Sequence, residues 1–124
     1  MAGTVHIEKT IKAPVARVYR AFQQTRALKV SPSAEIVALV RNHTIVHRYS
    51  DIVPGFGIWS FVEKAGGKAT LLVLDHVDAH ESAEERDSVT FYWKGLIENL
   101  AAFCEGRKIP FDHDAGDYRQ GMKP

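Results

Sequence analysis

"TFYWKGLIENLAAFCEG", residues 90–106, decides the fold. On a helical wheel Val89, Tyr92, Trp93, Leu96, Ile97, Leu100, Phe103 and Cys104 fall on one arc, with Lys94, Glu98 and Glu105 opposite. A helix with such an arc has to bury one side against something. Phe91 falls outside the arc, near Gly95 and Ala102, and leaves an apolar patch that core packing does not explain. Upstream, Ser82 and Glu85 have the spacing of a capping box, and Gly106 supplies a C-terminal stop. The helix therefore starts near residue 83 and is roughly 35 Å long.

Working outward, the rest of the chain provides the surface for that helix. Residues 4–12, "TVHIEKTIK", alternate as a half-buried strand with Val5, Ile7 and Ile11 on one face, interrupted by Lys9. The period then changes. Pro14 suits a first helical position, and Val15, Val18, Tyr19 and Phe22 make a short amphipathic helix. Residues 25–33, "TRALKVSPS", add at most a turn before Pro32. Strand-like runs follow at 34–40, 44–51, 58–64 and 69–78, with a turn at "RNH", a loop at "VPGFG" (53–57) and a hairpin at "AGGK". These form an antiparallel meander which the first strand joins. Residues 107–124 read as an irregular tail anchored by Ile109 and Phe111. The division is thus one domain over 1–106 and a tail over 107–124.

Composition narrows the function classes. Of 124 residues 45% are apolar and 25% charged, which are values for a folded domain. Sixteen basic residues against 15 acidic ones leave no electrostatic footprint for nucleic acid or an anionic membrane. The single cysteine excludes an internal disulfide and fits a reducing compartment. With no signal-like start and no long apolar run, a cytoplasmic location is the expectation.

Three stretches together carry a family resemblance: "VHIEKTIKAPVARVYRAF", "GIWSFVEKAGGKATLLVLDHVD" and "YWKGLIENLAAFCEG". Their order resembles the START-like (SRPBCC, helix-grip) superfamily, in particular the branch related to the C-terminal domain of the heat-shock-protein-90 ATPase activator. Trp93 followed by Ile97, Leu100 and Phe103 is similar to the closing helix of that branch. The resemblance implies an α+β fold, an antiparallel sheet of about five strands wrapped on the long C-terminal helix. It is shortened, because the nine residues between Gln24 and Ala34 cannot hold the small helix and two strands that relatives have there. The strand beginning at Ala34 is then an unprotected edge, which a homodimer or the tail would cover.

The resemblance also implies a cavity between helix and sheet. Trp59 and Phe61 share one strand face, as do His47 and Tyr49, and Leu72, Leu74 and His76. If these face Tyr92 and Trp93, the wall is apolar with a few polar tips, as small-molecule sites are. The alternative is that the same residues simply fill one another's space. The expected ligand-binding residues are His47, Tyr49, Trp59, Phe61, Leu74, His76, Tyr92 and Trp93, and the expected ligand is a small lipophilic molecule.

Other chemistry reads more weakly. His76, Asp78 and His80 in "DHVDAH" have a metal-set spacing but read as a solvated strand end, so no metal or other cofactor is expected. His47 beside Tyr49 has the residue types of an acid–base pair, although a cross-strand contact is the commoner meaning, and no catalytic residue is assigned. Cys104 sits on the apolar arc, and "AGGK" is a turn with no helix after it. Three readings follow: a receptor for a small apolar or aromatic molecule, a chaperone-regulating interaction module, and a cyclase- or hydrolase-type enzyme.

Overall fold

Apolar periodicity and turn chemistry produce the elements in the expected order. A computed structural model describes residues 3–23, 34–49, 55–79 and 83–108. Strand β1 (Gly3–Ile11) is followed by helix α1 (Val15–Phe22), then β2 (Ala34–Val40), β3 (Thr44–Tyr49), β4 (Gly55–Lys64), β5 (Ala69–Ala79) and helix α2 (Ala83–Glu105). The five strands form one antiparallel sheet in the order β1-β5-β4-β3-β2. This is an α+β helix-grip fold, with the sheet wrapped on the long C-terminal helix.

Strand alternation divides the sheet into two faces. The concave face carries Val5, Ile7, Ile11, Ile45, Trp59, Phe61, Leu72 and Leu74, all buried. On the convex face Val46, Ile58 and Val73 stay half-buried, and His6 bonds both Asp75 and Glu8. Helix α2 lays Val89, Tyr92, Trp93, Leu96, Ile97 and Leu100 on the concave face, each at most 2% exposed. Lys9, which interrupts the alternation of β1, pairs with Glu98 of α2 at 2.9 Å.

The two helices lock at the C-terminal end of α2. Gly106 has φ 75°, a left-handed conformation that costs a glycine nothing. Its N–H donates to the Phe103 carbonyl, and the Arg107 N–H to that of Ala102, which together form a Schellman motif. Arg17 of α1 donates through Nε to the Cys104 carbonyl at 2.8 Å and brings a cation to the negative end of the helix dipole. Glu105 accepts the Lys12 backbone N–H at 2.8 Å, tying the end of β1 to the same corner.

Some details differ from expectation. Pro14 precedes the helix as its cap, with ψ 153°, instead of starting it. Strand β4 begins at Gly55, so most of the "VPGFG" loop is strand: pairing of Tyr49 with Gly55 and of His47 with Gly57 extends the ladder through both glycines. Phe103 is 37% exposed where the arc had it buried, because it lies in the last turn, under the Arg17 guanidinium. Ala102 is fully buried, so the back-face patch reduces to Phe91, 62% exposed. Ser82 of the capping box, residues 25–33 and the tail from Ile109 onward lie outside the described residues.

Candidate functional site

Alternation along β3, β4 and β5 aims one aromatic or imidazole ring after another at the underside of α2. Trp59, Trp93, Tyr92 and His76 are at most 2% exposed, and Tyr49 and Phe61 at most 5%. Trp59 and Trp93 meet edge to face at 5.4 Å, and Tyr49 lies 5.3 Å from both Trp93 and His76. Leu74 is fully buried opposite Trp59 on the neighbouring strand. Six of the eight residues expected at the site therefore share the concave sheet face, Tyr92 and Trp93 come from α2, and seven of the eight are buried. Their rings pack against each other.

The polar atoms in this cluster are paired, as burial requires. The Trp59 indole N–H donates to the Tyr49 hydroxyl at 2.9 Å, and the Trp93 indole N–H donates to His76 Nδ1 at 3.0 Å. Since indole can only donate, His76 accepts at Nδ1, which places the ring proton of the neutral imidazole on Nε2. Burial raises the Tyr49 phenol above its ordinary pKa, against the smaller opposing effect of the Trp59 bond, so it remains a neutral hydroxyl.

His47 is the half-buried member of the set, and its pKa is lowered by burial, which keeps it neutral near pH 7. Its ring stacks on Phe22 of α1 at 5.6 Å, and Phe22 in turn lies 4.6 Å from Trp59. Beyond His47 the same face continues onto β2, where Ile36 stands opposite His47 and Leu39 opposite Ile45. Ile36 is 51% exposed and Leu39 49%. The result is a hydrophobic, aromatic-lined groove, closed around Trp59, His76 and Trp93 and open toward β2. It is consistent with small-molecule binding.

Sequence reasoning missed Phe22, Ile36 and Leu39. Phe22 was legible as core but not as the stacking partner of His47, which depends on where α1 crosses the sheet. The run "AEIVALV" announced a strand, but which of its residues face the groove depends on the register shift between Ile36 and Ala38.

Other candidates resolve differently. Cys104 is buried, and burial pushes its thiol up to about 11, far from a nucleophilic thiolate at neutral pH. His76 points into the groove, while the Asp78 side chain and His80 lie outside the described residues. Among the described residues no three acidic, histidine or cysteine side chains are placed to hold a metal ion. No helix among them is long and apolar enough to cross a membrane. Beside α1, near the β2–β3 turn, is a hollow of about 290 Å³ lined by Ala16, Tyr19, Arg20, Gln23, Leu39, Arg41 and Asn42.

No family model matches the sequence, and no curated protein does. Solved structures do match in fold. The Aha1 dimer from Colwellia psychrerythraea, solved in solution, superposes with a TM-score of 0.71 at 14% identity over 83% of this chain and 96% of that one. An AHSA1-like protein from Rhizobium etli gives 0.67 at 17% identity, covering 90% and 88%. CalU16 from Micromonospora echinospora gives 0.68 at 17%, covering 96% and 83%. Identities this low speak for architecture alone. The chain has a helix-grip fold, shared with these Aha1/AHSA1-like proteins and with CalU16.

Proposed function

We propose that the groove binds a small apolar or aromatic molecule, admitted from the β2 side. The observation that carries this reading is the continuity of one face. A buried row of rings passes through half-buried His47 to exposed Ile36 and Leu39. Water against Ile36 and Leu39 is displaced at a gain of about 25 cal/mol per Å² of apolar surface covered. Trp59, Phe61, Leu74, Tyr92 and Trp93 form the closed wall, and His47, Tyr49 and His76 are the polar tips that orient the ligand.

A receptor or carrier fits this arrangement better than a cyclase or hydrolase. His47 has no carboxylate partner among the described residues, and Tyr49 is a buried acceptor held by Trp59. Neither is set up for proton transfer. The test is Ile36→Glu, which places a charge at the open end on an exposed position. Calorimetric affinity for an apolar probe such as naphthalene should fall at least tenfold, with the melting temperature unchanged. Unaltered affinity would place binding elsewhere.

A second reading, an interaction module, is favoured by one observation. The edge strand β2 exposes Ile36, Val37, Leu39 and Val40, each at 44% or more, and α2 exposes Phe91. Edge strands of this kind recruit another strand. The solved Aha1 from Colwellia psychrerythraea is a dimer, and a homodimer through β2 is the form this reading takes here. Regulation of a chaperone, as the activator-related branch would have it, is its wider form.

A further inference from the structure

The arginines of the described residues divide into two groups. Arg17 caps α2, Arg48 pairs with Glu35, Arg107 with Glu105, and Arg86 is also engaged. Arg20 and Arg41 have no acidic partner among the described residues. Yet these two, from the last turn of α1 and the β2–β3 turn, line the same hollow of about 290 Å³. Among the described residues no acidic side chain lines it, and Tyr19 and Leu39 contribute apolar surface. Two guanidinium groups on one hollow give it a positive potential that favours an anion.

The hollow adjoins the open end of the groove. Leu39 lines the hollow and also stands opposite Ile45, which in turn is opposite Trp59. Tyr19 lines it as well, with its ring 5.4 Å from Phe61. Along β2, Ile36 and Leu39 are about 10 Å apart, the length of a short acyl chain or a fused ring pair. Guanidinium is planar and doubly donating, which matches a carboxylate.

We propose that the ligand of the groove is an amphipathic carboxylate, its apolar body on Ile36 and Leu39 and its head between Arg20 and Arg41. This rests on the reading of the groove given above and adds the charge of the ligand to it. The uncharged edge of the hollow, Asn42 and Gln23, completes the hydrogen bonding around the head.

The experiment compares octanoate with 1-octanol by calorimetry, on the wild type and on an R20Q/R41Q variant. Both positions are exposed, so the variant should fold, which its melting curve checks. The expected result is at least tenfold tighter binding of octanoate by the wild type. In the variant that preference disappears while 1-octanol binds as before. Equal affinities in the wild type, or a preference that survives in the variant, overturns the carboxylate and leaves a neutral lipophilic ligand standing. If neither compound binds, both readings fall.

Discussion

At the scale of single residues, Gly57 shows how the groove is built. It lies on β4 opposite His47, and the Tyr49 ring leans across it. A methyl group at this position would meet Tyr49 Cε2 at 2.7 Å, closer than real carbon contacts come. The missing side chain is therefore what lets the phenol reach the Trp59 indole. Gly57→Ala should cost about 1–3 kcal/mol in urea unfolding, the usual range for overpacking, and should shift the Trp59 emission as its hydrogen bond is lost. An unchanged midpoint would mean the ring has another resting place. The role of Gly57 was hidden in the sequence because "VPGFG" has the composition of a loop; pairing on both sides overrides that local signal. His47, Tyr49 and Trp59 were legible, since alternation alone puts them on one face.

Among the elements, the corner where α2 ends is the clearest case of sequence dictating structure. The apolar arc and Gly106 defined the helix and its stop; the stop is where the pattern put it, and the arc is buried except for Phe103. What the pattern could not show was the three-way clasp with Arg17 and Lys12, because those partners are more than 80 residues away in the chain. Glu105 holds that clasp together. The Lys12 backbone N–H it accepts, with help from Arg107, keeps its carboxyl below the usual range. A carboxyl whose folded value is depressed contributes above its unfolded pKa of about 4.3, and the contribution is lost as pH falls through the folded value. Glu105→Gln should then be about 1 kcal/mol less stable than wild type at pH 7, with the gap closing as the pH falls below the unfolded value and through the depressed folded one. A gap independent of pH would assign the effect to packing.

For the whole molecule, the five-strand sheet gripping α2 was legible from order and periodicity, whereas the direction in which the groove opens was not. That direction depends on how far α1 and α2 cover the concave face, which is a matter of crossing geometry. The coverage ends before β2, leaving Ile36 and Leu39 of this edge strand in contact with water, and Val37 and Val40 are exposed as well. If β2 pairs with a second copy, sedimentation at micromolar concentration should give twice the 13.9 kDa of the chain, and a Val37→Lys/Val40→Lys variant should return it to monomer. A monomeric wild type would leave β2 free for another occupant.

The central claim is that the aromatic groove receives a lipophilic ligand. Both tryptophans of the chain, Trp59 and Trp93, lie at its closed end, so intrinsic fluorescence reports on this site and nowhere else. Titration with a panel of lipophilic acids and aromatics should give a saturable change in emission for at least one compound at micromolar concentration. Emission that stays flat across the panel, from protein shown to be folded, would contradict the account.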